Sequence, residues 1–500
     1  MVIRMPSFFD FFATPRLTAR SHAIPAEMLH GTSDVQLDHP ASLPATRLDQ
    51  WLHIARCRFI APCIAVLATV QFALFGYFFS QTTITSPISD MFAYIGDYLH
   101  FRAGDISLLG YLWQAHDEHH QSWIRLLTWA DVEIFHTRGI PFMAAASAAM
   151  GGIVFLIWQQ LRRAEPLLFK STFLGLLVPM ILLSAANVTD CSVPINSIYP
   201  LTIFFVVLAL VLFSGATTPY RRIAGFLAAI GASMASAAGL LAWPILLWVA
   251  WRERLGKVWV ATSAGVGSAY ILFYARGLDF VGLAPVVNNG AASFVSAGHL
   301  AKLAHYFLAF IGLPFTREPR FEFIGSLIGG ILILTGLSAV LIASISDHLS
   351  TRLDRIAIGM ILLALGAAAL ATLGRSDLID EVKIPVRYGI FVSGLQAGLL
   401  CLILPRALRQ FETPRALFFL STVGLGLAAI LVVLQVFIGR SAAQIAATIS
   451  RDADCFAQQM QAEPVNTIVT KSPEDAERVF AALRRLGLLA PRSSDCKTRS

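Results

Sequence analysis

The sequence predicts an all-α, polytopic transmembrane helical bundle of about eleven spans, with a long first outer loop of interfacial helices and a small soluble C-terminal tail. Three observations carry that expectation. Of 500 residues, 56% are hydrophobic and only 14% charged, against about 25% charged in a typical soluble domain, so a water-exposed surface of this size could not be covered. Apolar stretches long enough to cross ~30 Å of hydrocarbon as a helix, roughly 20 residues each, recur along the chain. Runs this long lack the alternation of barrel strands. Finally, arginines gather in short loops at span ends, the positive-inside pattern. The net charge of +7 is therefore assigned to membrane topology, and no nucleic-acid partner is expected.

Residues 1–58 form a cytoplasmic tail and lead-in: a Pro-, Ser- and Thr-containing segment without periodicity, then a short amphipathic helix from about Thr46. No cleavable signal peptide is expected, because the N-terminus is long and polar. The transmembrane domain covers 59–438. Its first span is 59–79, followed by the longest inter-span loop, 80–138. Spans at 139–161, 167–186 and 199–217 follow, with Arg162, Arg163, Arg221 and Arg222 at their inner ends. Residues 223–251 are too long for one crossing and too short for two full ones, and GASMASAAG at 231–239 predicts a tight hairpin or broken helix. The seventh span is 257–275.

The run 297–315 is amphipathic through His299, Lys302 and His305. A crossing there would put Arg406, Arg409 and Arg415 outside, so it is assigned to the outer interface. Spans at 322–346, 356–373, 389–404 and 416–438 complete the set, with the N-terminus inside and the C-terminus outside. The tail, 439–500, has soluble composition, and Ser472-Pro473-Glu474-Asp475 predicts a helix start that runs to Gly487. Cys455 and Cys496 both fall outside, leaving a disulfide or two free thiols as the alternatives.

No Asp or Glu falls inside these spans, where the polar residues are uncharged, such as Gln71, Gln396 and Gln435. Ion-coupled transporters carry intramembrane ionisable groups, so the chemistry is expected in the outer loops. The 80–138 loop holds the densest set. Asp90 and Asp97 are seven residues apart, two helical turns, and so share a face. The segment WQAHDEHHQSWIRLL supplies His116, Asp117, Glu118, His119, His120 and Arg125 among interfacial tryptophans. The bland alternative is a solvated interfacial helix. HDEHH also fits an HxxHH di-iron box, but the chain has no second such box. A single divalent cation (Mg or Mn) on Asp90, Glu118 and a histidine is the cofactor these residues allow, since hard cations take carboxylate oxygens. A second outer cluster, GRSDLIDEVKIPVRYG, carries Arg375, Lys383, Arg387 and Tyr388. Arginine forks suit phosphate oxygens, with ordinary interfacial anchoring as the alternative, and Arg276 could join them.

These features resemble the GT-C superfamily of membrane glycosyltransferases, and more narrowly a bacterial group with a W-x-x-H-N-E-H-R-like motif. Here the motif is Trp113-Gln-Ala-His116-Asp117-Glu118-His119-His120, followed by Arg125-Leu126, with Asp117 and His120 as departures from the Asn and Arg of the group. Gly239-Leu-Leu-Ala-Trp243-Pro244, Gly374-Arg375, Arg387-Tyr388 and the tail's Ala482-Leu-Arg-Arg-Leu-Gly-Leu also match, so the likeness touches most of the chain after residue 55. The resemblance implies a transferase of the bacterial inner membrane. A sugar would pass from a polyprenyl-phosphate donor to an envelope glycan or lipid acceptor. Asp90 would be the general base, Glu118 and His119 would position the acceptor or a metal, and Arg375 and Arg387 would hold the lipid phosphate. Asp97, His116, Arg125, Arg276 and Tyr388 would line the substrate site. The rivals are a transporter or flippase of lipid-linked sugars and a non-catalytic component of a polysaccharide-assembly complex.

Overall fold

The computed structural model describes residues 47–116, 119–276, 297–313, 315–317, 321–346, 349, 351–374, 385–410, 413–459 and 473–489. Among them, nine helices are long and apolar enough to cross a membrane: α1 (Arg47–Thr82), α5 (Ile140–Ala164), α6 (Leu174–Ser192), α7 (Pro194–Phe213), α10 (Lys257–Ala275), α12 (Glu322–Ile345), α13 (Arg352–Leu373), α14 (Gly389–Gln410) and α15, whose apolar stretch is Pro414–Phe456. Between α1 and α5 lie α2 (Met91–Ala103), α3 (Leu108–Trp113), a two-stranded hairpin of β1 (Ala115–His116) and β2 (His119–His120), and α4 (Ser122–Phe135). The chain is thus a helical bundle suited to multiple passes through a membrane. Phe323, Leu334 and Phe437 point outward from it, as side chains facing lipid must.

Residues 223–251 form the expected reversal. The helices α8 (Pro219–Ser233) and α9 (Ala237–Arg252) meet through three residues. Gly239 permits the close approach: a Cβ there would lie 1.9 Å from the Ala232 carbonyl oxygen. Trp243 donates its indole N–H to Ser233 Oγ at 3.2 Å across the junction. Each arm is shorter than the roughly 20 residues of a full crossing.

The amphipathic run is α11 (Ala297–Ile311), 15 residues and so about 22 Å long, short of the ~30 Å core. It lies against α12 with almost no side chain between them, since a Cβ on Gly329 would come within 2.2 Å of the Leu308 carbonyl oxygen.

Three expectations are corrected. The third span begins and ends later than 167–186: Leu167–Lys170 is a separate turn, and α6 runs to Ser192. Acidic residues are therefore present in the long helices. Asp190 is completely buried near the end of α6, and Asp354 is 2% exposed in the first turn of α13. The last long helix does not end at 438, where the span was expected to close. Instead α15 continues unbroken from Pro414 to Gln459, 46 residues and about 69 Å, more than twice the hydrocarbon thickness. Its polar extension still has a packed face, with Ala446, Ile449 and Ala453 buried against Ile84, Ile88 and Val193. Burial of that face, which the lower hydropathy hides, keeps the helix going.

One end of the bundle is basic and ion-paired. Arg355 pairs with Glu253 at 2.6 Å, Arg406 with Asp354 at 2.8 Å, and Arg409 with Glu165 and Arg415 with Asp49 at 3.1 Å each. The opposite end carries the 83–139 loop and the tail helix α16 (Pro473–Arg485). These two share a core in which Phe92, Ile95, Tyr98 and Tyr111 pack against Ala476, Val479, Phe480 and Leu483. Cys455 is disulfide-bonded, whereas Cys57, Cys63, Cys191 and Cys401 are free; Cys496 lies outside the described residues.

Candidate functional site

The first outer loop is anchored before it begins to fold. Thr82 and Ser192 share a hydroxyl hydrogen bond of 2.7 Å, and the Ile84 N–H donates to the Ser192 carbonyl at 3.2 Å, tying the end of α1 to the end of α6. The chain then turns through Ser89, at a φ of 50°, and Asp90 stands at the N-terminal boundary of α2. No backbone N–H of α2 takes the Asp90 side chain as a cap. Its carboxylate instead accepts a hydrogen bond from Ser89 Oγ at 3.3 Å and is partly exposed.

Asp90 faces a cleft of about 690 Å³ between α2, the β hairpin and α16, whose polar lining includes Asp97, His100, His116, Asp475 and Arg478. The tail helix therefore forms a wall of the cleft. The structure thus brings together three of the residues singled out from sequence, Asp90, Asp97 and His116.

Asp97 has a second engagement. It accepts from Arg125 at 2.7 Å and from the Gln114 amide at 3.0 Å. The Arg125 side chain is fully buried, donates also to the Gln114 carbonyl at 3.0 Å, and lies over the rings of Tyr94 and Tyr111 at 5.3 and 5.5 Å. Arg125 holds the loop together and does not face the cleft.

Trp113, the first residue of the motif, stacks between His120 at 4.6 Å and Phe273 at 4.7 Å. The His120 ring nitrogen meets the Trp113 carbonyl at 2.7 Å, and its backbone N–H donates to the Tyr274 hydroxyl at 3.0 Å. Burial pushes the His120 imidazole below its ordinary pKa, partly opposed by the Trp113 carbonyl. The motif thus docks the hairpin on the end of α10, beside the exposed Arg276. His119 is half-buried in β2. Glu118 and Asp117, between the two strands, lie outside the described residues, as do Arg375 and Lys383. The cation expected on Asp90 and Glu118 therefore has one of its two carboxylates outside them; among the described residues no group of three or more His, Cys, Asp or Glu is placed to hold a metal ion.

Arg387 and Tyr388 come from a single 3₁₀ turn, Val386–Tyr388, immediately before α14. Tyr388 packs edge-on to Tyr199 at 5.7 Å and stacks on Phe310 at 5.0 Å, with the Arg387 guanidinium 5.9 Å from its ring. Arg387 is held above the ordinary arginine range by Tyr199 first, then by Tyr388 and Asp90, against the opposing effect of burial. Asp90 and Arg387 are thus electrostatically coupled although 297 positions separate them. Asp190 is coupled to Arg387 as well.

Sequence inspection overlooked Asp190, Tyr199 and the tail pair Asp475 and Arg478. The only trace of Asp190 is its place in VTDCSVPIN, a polar interval too short to be a real loop between two apolar runs. No family model matches the chain, and neither does any curated protein or solved structure.

Proposed function

We propose that the protein is a membrane glycosyltransferase of GT-C type, moving a sugar from a polyprenyl-phosphate donor to an envelope glycan or lipid acceptor outside the bacterial inner membrane. The observation that supports this is Asp90 in the lining of the cleft, with Arg387, before α14, near enough to feel its charge. One is a carboxylate able to take a proton. The other is an obligate cation able to meet a lipid phosphate. In the reaction, Asp90 accepts the proton of the acceptor hydroxyl as its oxygen bonds to the sugar's anomeric carbon. The bond from that carbon to the phosphate oxygen breaks, and the electron pair leaves on the polyprenyl phosphate, where Arg387 stabilises the new charge. The exposed lining of the cleft suits a polar acceptor. A Mg or Mn ion on Asp90 and Glu118 would act on the same leaving group.

Eleven crossings with the N-terminus cytoplasmic and the C-terminus periplasmic fit three facts. The arginine-rich end is the one bearing Arg162, Arg163, Arg221, Arg222, Arg406 and Arg409. The disulfide-bonded Cys455 belongs in an oxidising compartment. The 83–139 loop and α16 share a core, so an even number of crossings must separate them, and ten do if α8 and α9 cross and α11 does not. An impermeant thiol reagent added outside the inner membrane is expected to label Ser493→Cys and not Arg415→Cys. Labelling at Ser493→Cys only after that membrane is broken would overturn the count.

Arg387→Ala is expected to weaken donor binding by about 1.5–3 kcal/mol, the size of a charge-assisted hydrogen bond. Arg387→Lys should recover part of it, because a point charge lacks the fork. Full donor affinity in both variants would reduce Arg387 to an interfacial anchor. A transporter of lipid-linked sugars draws support from one observation, the buried Asp190 in α6. It needs Arg387 but no base, so normal transport with Asp90 neutralised would favour it.

A further inference from the structure

The basic end of the bundle holds a second arrangement of arginines, at the turn between α7 and α8. The turn is built around Glu253, which follows α9. Its carboxylate accepts from Ser214 Oγ at 2.7 Å and from the Gly215 N–H at 2.8 Å, and it pairs with Arg355 at 2.6 Å. Gly215 takes a φ of 62°, and a Cβ there would lie 3.5 Å from Cδ of Arg352, so the stem of Arg352 packs directly on the turn.

Three guanidiniums then converge on carbonyls at the end of α7. Arg221 and Arg352 both donate to the Val211 carbonyl, Arg221 at 3.5 Å. Arg222 donates to the Ala216 carbonyl at 2.7 Å and lies over the ring of Trp259 at 4.9 Å. None of the three forms an ion pair with a carboxylate among the described residues, and Glu253 is engaged by Arg355. All three side chains are half-buried. The Nε of Arg222 and that of Arg352 are buried without a hydrogen-bond partner among the described residues. The last turn of a helix carries a partial charge of about −0.5, which cannot offset three guanidiniums drawn partly out of water. The excess positive charge selects for an anion, and arginine forks match phosphate oxygens.

The surroundings indicate what carries the phosphate. On α8, Tyr220, Ile223 and Leu227 follow the spacing of one helix face and are 81%, 49% and 63% exposed. A free anion has no use for an apolar stripe beside it. A phospholipid presents a phosphate at the headgroup level and acyl chains next to it. Trp259, under Arg222, is the residue type that marks that level.

We propose that the α7–α8 turn is a headgroup site for an anionic phospholipid, with the phosphate on Arg221, Arg222 and Arg352 and an acyl chain along Tyr220, Ile223 and Leu227. The site is separate from the cleft and stands whether or not the transfer function does.

The test uses the full-length protein in nanodiscs of phosphatidylcholine, with and without phosphatidylglycerol, and native mass spectrometry of the detergent-solubilised protein titrated with each lipid. Wild type is expected to melt higher in the anionic discs and to bind phosphatidylglycerol more tightly than phosphatidylcholine. Arg221→Gln with Arg352→Gln should weaken phosphatidylglycerol on the order of thirtyfold, two basic contacts at a lipid surface, and leave phosphatidylcholine unchanged. Arg221→Gln alone loses only the long contact and one of two converging like charges. It should therefore melt no lower than wild type in phosphatidylcholine, yet lose most of the gain in the anionic discs. Arg58→Gln, which removes an exposed charge elsewhere, should keep that gain. A wild type that does not distinguish the two lipids overturns the inference, as does an Arg221→Gln protein that keeps the full gain. Equal stabilisation of wild type by inorganic phosphate in phosphatidylcholine discs overturns the lipid assignment and makes the turn a site for a free anion.

Discussion

Asp90→Asn is expected to lower turnover by ~10²–10⁴ while leaving the melting temperature almost unchanged. The substitution keeps the size of the side chain and removes only its basic oxygen. Little stability is at risk, because the carboxylate is partly exposed, makes no helix cap and meets Ser89 at a long 3.3 Å. The measurement is sugar transfer from a lipid-linked donor by purified protein, with Asp97→Asn and Glu118→Gln alongside. Asp97→Asn is expected to act first on stability, because it removes the partner of the buried Arg125. Near-normal turnover for Asp90→Asn with collapse for Glu118→Gln would move the base to Glu118. Near-normal turnover for all three would remove the transferase mechanism.

Arg125→Ala should destabilise the first outer loop by about 3 kcal/mol, the low end for breaking a buried ion pair, since Asp97 is 21% exposed and can be rehydrated. The guanidinium is the loop's central tie. It reaches Asp97 on α2 and the Gln114 carbonyl beyond α3, and it packs over Tyr94 and Tyr111. Tyr111 returns the contact by donating to the Arg125 carbonyl at 2.7 Å. Arg125→Lys keeps the charge but cannot make both hydrogen bonds from one plane, so it should recover less than half. Thermal melting, with limited proteolysis across 83–139, is the measurement. An Arg125→Ala protein with wild-type melting and an intact loop would show that the network adds nothing. Turnover should fall too, because α2 carries Asp90, and it should fall in proportion to the unfolded loop.

Much of the helical architecture was legible because a bilayer-length apolar run leaves the chain few choices. With no water to satisfy its amides, such a run must be a helix. The reversal at 231–239 was legible for a similar reason, since small residues mark close backbone approach, and Gly239 meets Ala232 there. The length of α15 was not legible. Its last twenty residues look soluble by composition, and only a narrow buried stripe through Ala446, Ile449 and Ala453 holds them in the helix.

The candidate site divides along the same line. Asp90 and Arg387 stood out as dense polar chemistry at the ends of apolar runs. Composition could not tell that Arg125 is a buried tie, because Asp97 and the two tyrosines that surround it come from other helices. Asp190 was hidden because helix ends are poorly marked in the interval 187–197, where a buried acid looks like a linker residue.

The sequence by itself determined that this is a multi-helix membrane protein with its acidic and histidine-rich chemistry in one long loop, because hydrophobic length and loop composition are local properties. The tertiary structure decided which charges meet. Asp90 and Arg387 belong to separate segments, and a charge interaction between residues so far apart exists only once the helices have packed. It likewise decided that the tail helix walls the cleft, since Arg478 and Asp475 reach it only through the apolar core that α16 shares with α2.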